Sequence, residues 1–247
     1  MTSNILVIGE SCKDIYCYGS CDRLAPEAPV PVFNLIEQVE SSGMAMNVQR
    51  NIIALGQDCD IITNDNWQQV MKTRYVHKNT NQMFIRIDKN DHEIDRCNIK
   101  EIPLSNYEII VISDYCKGFL NKEDINFLIH NNPSVFLDTK KILGDWMYDV
   151  DFVKVNEKEF EMSKSKIDYE KIKDKLIVTK GSEGCQYLDE IYPVSEVESV
   201  KDYSGAGDTF FAGFVYDYLK SKDIKSAINY AQECATIVVQ KHGVATI

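Results

Sequence analysis

The stretch EIIVISDYCKGFLNKEDINFLIHNNPSVFLD, residues 108–138, contains two apolar runs on either side of a helical pattern. The runs EIIVIS (108–113) and SVFLD (134–138) are continuous rather than alternating, as in strands buried on both faces of a parallel sheet. The apolar spacing between them predicts a helix over Lys122–Asn131. A strand, a helix and a second strand in succession indicate a parallel sheet covered by helices.

The same alternation continues on both sides of this unit. Further runs of strand character are ILVIG (5–9), CDIIT (59–63), FVKVN (152–156) and KLIVT (175–179). Further helical patterns cover Asn47–Leu55, Glu157–Ser163, Thr209–Lys220 and Ile224–Lys241. The chain is therefore predicted to form an α/β fold with a doubly wound, mostly parallel sheet flanked by helices.

Two polar segments of β character interrupt the alternation. Residues 15–40 carry prolines at 26, 29 and 31, which exclude a helix and favour an edge strand or an extended ribbon. Residues 73–96 are typical of a hairpin with the turn-prone KNTN between its arms. We expect one domain over residues 1–247, with these two segments forming a small sheet that stands off the main one.

Composition excludes several classes of function. The net charge of −11 argues against a general nucleic-acid surface, and no apolar run is long enough to span a membrane. The N-terminal MTSNILVIGES lacks a basic leader and is interpreted as the first strand. The spacing of Cys12, Cys17 and Cys21 would allow a zinc site, but reduced thiols in a cytoplasmic protein are the favoured interpretation.

The stretch DYSGAGDTFFAGF (202–214) places two glycines and an aspartate before an amphipathic helix. Gly205 and Gly207 allow the backbone to approach a ligand closely, and the first N–H groups of the helix can bind an anion. Asp208 in the same turn can accept a proton from an attacking hydroxyl, so the pattern suits phosphoryl transfer. The alternative is an ordinary glycine loop with an aspartate that favours the helix dipole.

This stretch resembles the D-T-x-G-A-G-D signature of the ribokinase-like (PfkB) carbohydrate kinases, with Tyr203 in place of the threonine. The matching positions are Asp202, Gly205, Ala206, Gly207 and Asp208. The resemblance implies that Asp208 is the catalytic base and that the amides of residues 205–207 form an anion hole. It also implies ATP and Mg²⁺ as cofactors.

Other segments resemble the same family in the same order. GESCKDIYCYG (9–19) resembles the first strand and turn, in which Asp14 would bind sugar hydroxyls. SSGMAMNVQRNIIALG (41–56) resembles the first glycine motif, which implies substrate contacts from Gly43 and Asn47. Met44 stands where that motif has a second glycine.

The nucleotide side is implied by two further segments. KVNEKE (154–159) resembles the N-x-x-E motif, in which Asn156 and Glu159 organise Mg²⁺ and phosphate, although Asn and Glu at this spacing also form a helix capping box. VTKGSEG (178–184) resembles the nucleotide turn and implies that Thr179 and Gly181 lie near the ATP phosphates. Activation by a monovalent cation such as K⁺, common in the family, would use Asp202 and Ser204.

One subfamily is more similar, the D-glycero-D-manno-heptose 7-phosphate kinases. The segments that carry this resemblance are DRLAPEAPVPVF (22–33), VHKNTNQMFIRID (76–88), SDYCKGFL (113–120) and LDTK (137–140). The resemblance implies phosphorylation of the anomeric hydroxyl of the heptose phosphate. The chain departs from the subfamily in that we expect a kinase domain alone, shortened between Ile62 and Lys72. Its small sheet would act as a lid and pair two subunits into a homodimer.

A phosphorylated sugar also requires cations. Lys117 and Arg74 are the leading candidates, and Arg23, Lys72 and Arg86 are the others. Two alternatives stay open. One is a ribokinase-like kinase of another sugar, sugar phosphate or nucleoside, and the other is a catalytically weak relative that binds sugar or nucleotide.

Overall fold

The computed structural model describes residues 4–195, 197 and 199–247, whose strands form one large and one small sheet. The strands are β1 (Ile5–Gly9), β2 (Ser11–Leu24), β3 (Pro31–Met44), β4 (Asp60–Ile62), β5 (Met71–His77), β6 (Met83–Lys89), β7 (Ile109–Asp114), β8 (Ser134–Thr139), β9 (Phe152–Asn156), β10 (Leu176–Thr179), β11 (Cys185–Tyr187) and β12 (Glu190–Tyr192). The helices are α1 (Ala45–Ala54), α2 (Lys122–Asn131), α3 (Glu157–Ser163), α4 (Tyr169–Ile172), α5 (Ala206–Ser221) and α6 (Ile224–Val238).

The large sheet has the strand order β12-β11-β10-β9-β8-β7-β1-β4. The six strands from β10 to β4 in that order pair in parallel, and β11 and β12 add an antiparallel edge. The predicted α/β class with a mostly parallel sheet is confirmed. Sequence reasoning missed β11, β12 and the short helix α4.

Successive residues of each strand face opposite sides of the sheet. Because these strands are apolar on both sides, helices cover both faces. Ile5 and Val7 of β1 pack in one core with α1, α5 and α6, whereas Leu6 and Ile8 pack in another core with α2. Burial on both faces explains why the strands are continuous apolar runs in the sequence. No helix in the described part of the chain is long and apolar enough to cross a membrane.

The small sheet has the order β3-β2-β5-β6. Two of the prolines lie between β2 and β3, and Pro31 begins β3. Residues 15–40 therefore form most of a long antiparallel hairpin rather than a single edge strand or ribbon, with β3 at the edge and β2 inside. β5 pairs with β2 in parallel, and β6 pairs with β5 as the arms of the hairpin predicted within 73–96.

The carboxyl ends of the central strands meet near the start of α5. Gly9 ends β1, Asp114 ends β7, Thr139 ends β8 and Asn156 ends β9. Ligands of doubly wound folds bind at this edge of the sheet. The helix predicted over Thr209–Lys220 begins earlier, at Ala206, which places Gly205 at its N-terminal cap.

Candidate active site

The loop before α5 requires glycine at position 205. Gly205 has a φ of 80°, in the left-handed region, and a Cβ built there would lie 2.8 Å from Nδ2 of Asn47. The turn brings Asp208 into the first turn of the helix, where its side chain is buried. The N–H of Ala206 donates to the carbonyl oxygen of Tyr203 at 3.2 Å.

The Asp208 carboxylate accepts a hydrogen bond on each oxygen. Tyr115 Oη donates to Oδ1 at 2.5 Å, and Asn47 Nδ2 donates to Oδ2 at 3.0 Å. Burial raises the pKa of Asp208 above its usual value, and these two hydrogen bonds oppose that rise. A buried carboxylate with a raised pKa has the property required of a general base.

Two cavities meet at Asp208. The first, here called the small-sheet cavity, is lined mainly by residues of the small sheet and the loops below it, among them Asp14, Lys72, Arg74, Lys117 and Ser204. The second, the strand-end cavity, is lined by Asp138, Lys154, Asn156, Thr179, Gly181 and Gly207. Four residues line both cavities, namely Tyr115, Lys140, Gly205 and Asp208.

The small-sheet cavity brings together most residues predicted to bind substrate. Asp14 forms a buried ion pair with Arg74. A Cβ on Gly43 would lie 1.9 Å from Asp14 Oδ2, so only glycine allows this aspartate its position. Lys117 Nζ is 2.5 Å from Asp91 Oδ2. Arg23, by contrast, is exposed near the end of β2 and lines neither cavity.

The strand-end cavity contains a cation that sequence reasoning missed. Lys154 of β9 is buried and pairs with Asp138 of β8, with Nζ 2.7 Å from Oδ2. A Cβ on Gly207 would lie 3.2 Å from the same Nζ, so the lysine reaches the glycine turn. The sequence did hold a signal, because a lysine within a buried strand requires an anionic partner.

Asn156 and Glu159 form the capping box of α3. Asn156 Oδ1 accepts the N–H of Glu159 at 2.9 Å, and Glu159 Oε2 accepts the N–H of Asn156 at 2.8 Å. The other oxygen of Glu159 accepts from Lys140 Nζ at 2.9 Å. Asn156 lines the strand-end cavity, whereas Glu159 reaches the site through Lys140.

No group of three or more His, Cys, Asp or Glu side chains is placed to hold a metal ion among the described residues. Cys12 and Cys17 are buried thiols of β2, and Cys21 is partly exposed. Asp202 and Ser204 form a local turn, in which the Ser204 N–H donates to Asp202 Oδ1 at 2.8 Å.

The loop that carries Tyr115 and Lys117 is held by Glu10, which sequence reasoning also missed. The Glu10 carboxylate accepts the N–H groups of Tyr115 and Lys117 at 2.8 Å and that of Phe119 at 3.3 Å. Glu10 is fully buried, and burial raises its pKa. An acidic residue directly after a buried strand was the available signal.

Residues 71–247 match the family described as pfkB family carbohydrate kinase. The chain belongs to the PfkB family. The family is one of carbohydrate kinases, which places the chain among the phosphotransferases.

Curated relatives of this PfkB protein include two named bifunctional protein HldE. The one from a Nitratiruptor species is 30% identical over 292 aligned positions, covering 100% of this chain and 63% of the relative. The one from Campylobacter curvus is 30% identical over 295 positions, covering 98% and 62%. The chain thus spans less than two thirds of these relatives. Because 292 positions exceed the 247 residues, the relative carries residues that this chain lacks.

Solved structures with the same fold are more distant in sequence. A ribokinase from Thermotoga maritima superposes with a TM-score of 0.72 at 19% identity, covering 97% of this chain and 94% of the other. A nucleoside kinase from Methanocaldococcus jannaschii gives 0.72 at 19% identity, covering 98% and 94%. These likenesses establish the fold of the PfkB protein and nothing beyond the fold.

Proposed function

We propose that this kinase transfers the γ-phosphoryl group of ATP to the anomeric hydroxyl of D-glycero-D-manno-heptose 7-phosphate. The observation that carries the chemistry is the position of Asp208, which lies where two cavities meet and directly after the glycine turn of α5. The heptose phosphate is supported by the segment resemblance at 22–33 and by the HldE relatives.

The small-sheet cavity would hold the sugar. Asp14 would accept hydrogen bonds from sugar hydroxyls, while Arg74 would compensate the buried charge of Asp14. Gly43 would leave space for this ion pair because it has no Cβ. Asn47 would hold the Asp208 carboxylate toward the reacting hydroxyl. The small sheet would act as a lid that excludes water, which otherwise competes as phosphoryl acceptor.

At the junction, Asp208 would take the proton of the attacking hydroxyl. Since the Ala206 amide already has an acceptor in Tyr203, the amides of Gly205 and Gly207 would provide most of the anion hole. Lys154 and Lys140 would neutralise negative charge on the moving phosphoryl group, because both lie at this wall. Lys154 remains compensated by Asp138 when the site is empty.

The strand-end cavity would hold the nucleotide, with Asn156, Thr179 and Gly181 beside its phosphates. The hard oxygen donors at this wall, Asp138 and Asn156, fit Mg²⁺, which retains several waters. Asn156 and Glu159 would orient those waters, and the bound ion would screen the phosphate charges. We also propose K⁺ activation at Asp202 and Ser204, tested by exchanging K⁺ for Na⁺ in the assay.

Two further proposals concern the whole protein. Exposed apolar side chains on the edge strands of the small sheet support a homodimer formed through that sheet. The eight free cysteines support a reducing, cytoplasmic compartment.

The test is ATP-to-ADP turnover with D-glycero-D-manno-heptose 7-phosphate beside fructose 6-phosphate, ribose and adenosine. Turnover with the heptose phosphate alone supports the proposal. Turnover with another acceptor supports the kinase chemistry and replaces the substrate. Binding of sugar or nucleotide without any turnover would instead support the catalytically weak relative.

A further inference from the structure

Lys72 is a buried cation with few oxygen partners. Its residue is 7% exposed, and its Nζ contacts the thioether sulfur of Met44 at 3.1 Å. It lies 3.9 Å from Asp91 Oδ1, which is beyond hydrogen-bond distance. Sulfur is a weak acceptor and an ammonium has three N–H donors, so donors remain available to a ligand in the small-sheet cavity.

Lys117 lies on the other side of the same aspartate. Its Nζ is 2.5 Å from Asp91 Oδ2, so one carboxylate serves two ammonium groups. The two lysines together with Asp91 therefore carry an excess positive charge. Asp91 Oδ1 is itself buried without a hydrogen-bond partner in the described part of the chain. Asp91 lies in a turn after β6, closed by a hydrogen bond from the Glu93 N–H to the Asn90 carbonyl oxygen at 3.0 Å.

The other cations on the wall of this cavity each have their own carboxylate. Arg74 pairs with Asp14, and Lys140 pairs with Glu159. Arg86 pairs with Asp88 through two hydrogen bonds of 2.7 and 2.8 Å. The uncompensated charge is thus localised at Lys72 and Lys117.

The ring of Tyr115 separates this positive charge from Asp208. Lys72 Nζ is 5.4 Å from the centre of the Tyr115 ring, and the hydroxyl of that ring contacts Asp208. An anion held by the two lysines would therefore lie in the same cavity as the reacting hydroxyl but apart from it. A sugar with a phosphate on a carbon distant from that hydroxyl has this arrangement.

We propose that Lys72 and Lys117 bind the phosphate that the acceptor already carries, and that Asp91 holds the two lysines when no acceptor is bound. The proposal rests on the proposed function and adds the residues that select a phosphorylated acceptor. A phosphate oxygen would supply the acceptor that Lys72 lacks. Asp91, as a like charge, would oppose phosphate binding.

Calorimetric titration of the full chain with D-glycero-D-manno-heptose 7-phosphate tests this. Lys72→Met and Lys117→Met should each weaken binding by about 10–100-fold, the usual effect of losing a charge-assisted hydrogen bond. Lys78→Met is the matched control, because Lys78 is an exposed cation near the small sheet that pairs with Glu37. ATP titration checks that each variant is folded.

Asp91→Asn separates binding from a structural role. It should tighten binding of the heptose phosphate by a few-fold, since it removes a like charge, whereas loss of a structural ion pair would weaken binding. If Lys72→Met fails to bind ATP, the more exposed Lys117 decides the question.

Two outcomes would overturn the inference in different ways. Unchanged affinity in both lysine variants, with turnover of the heptose phosphate intact, would reject the lysine site and leave the proposed function standing. A wild-type kinase that turns over only unphosphorylated acceptors would reject the proposed substrate and the lysine site together.

Discussion

Two opposing influences act on the pKa of the Asp208 carboxylate. Burial raises its pKa, while hydrogen bonds from Tyr115 and Asn47 stabilise the ionised form. Asp208→Asn keeps the shape but removes the base, so kcat should fall by roughly 10²–10⁴-fold with ATP binding retained. Single-turnover kinetics and ATP titration measure the two effects. Turnover at the wild-type rate would remove Asp208 from the mechanism.

Tyr115→Phe should move the acidic limb of the kcat profile to higher pH. The base must be ionised, and burial already places its pKa above that of an ordinary aspartate. Removing the hydroxyl removes a hydrogen bond that lowers this pKa, so the pKa rises further and activity is lost at a higher pH than in the wild type.

The pH dependence of kcat measures this shift. Tyr107→Phe is the control, because Tyr107 Oη donates to Asp60 at 3.0 Å and lines neither cavity. A limb that stays in place, or moves to lower pH, would contradict the role given to Tyr115.

At this scale the sequence predicted the residues of local motifs and missed those defined by distant partners. The glycine turn before α5 could be recognised because its residues are adjacent in the chain. The Tyr115 contact with Asp208 joins positions 93 residues apart, and Glu10 holds a loop more than 100 residues away. No pattern of neighbouring residues in the sequence indicates such contacts. The proposed catalytic and binding roles themselves stay predictions.

At the scale of elements, the turn from β3 into α1 contains a strained residue. Met44 has φ 62° and ψ −131°, a conformation that favours glycine, and it stands where the family motif has glycine. Its side chain is nevertheless buried and packs with Cys12 and Val70. The packing and the contact with Lys72 hold the backbone in this conformation.

Comparing Met44→Gly with Met44→Ala isolates the strain, because both variants lose the methionine side chain beyond Cβ and differ only in the Cβ itself. Met44→Gly should be more stable than Met44→Ala by about 1–2 kcal/mol, the reverse of the order at an unstrained position. Urea unfolding measures the difference in the free energy of unfolding, and the two variants should have equal m-values. Greater stability of the alanine variant would show that the backbone relaxes away from positive φ.

Elements buried on both faces were the most predictable. The strands β7, β8 and β9 are buried over almost all of their length and are mainly apolar, and their bounds agree with the prediction to within one or two residues. The long hairpin of β2 and β3 was harder to predict, because much of β3 is exposed and its residues do not alternate regularly. Its β-bulges also shift the register near Gly19.

At the scale of the whole molecule, the two cavities meet because α5 begins where the ends of the parallel strands face the small sheet. Gly205 and Asp208 lie in both walls. The α/β class and its resemblance to PfkB kinases were predicted from the sequence. The position of the small sheet over the strand ends required the structure, since it depends on the parallel pairing of β2 with β5 across the intervening β3, α1 and β4.

The edges of the small sheet carry the last prediction. β3 and β6 are its edge strands, and six of their apolar side chains are 44–58% exposed, namely Leu35, Ile36, Val39, Met83, Ile85 and Ile87. Exposed apolar edge strands favour association. We therefore expect the wild-type chain to sediment as a dimer, and Ile85→Glu to sediment as a monomer, because pairing would bury the new charge.

Ile191→Glu is the matched control for this prediction. Ile191 is 51% exposed on β12, which is also an edge strand but belongs to the large sheet. It should leave the dimer intact, because the proposed interface lies on the small sheet. A monomeric wild type at micromolar concentration would reject the dimer, and dissociation by Ile191→Glu alone would place the interface at the other end of the molecule. If the small sheet is both lid and interface, Ile85→Glu should also raise the KM for the sugar while leaving that for ATP unchanged.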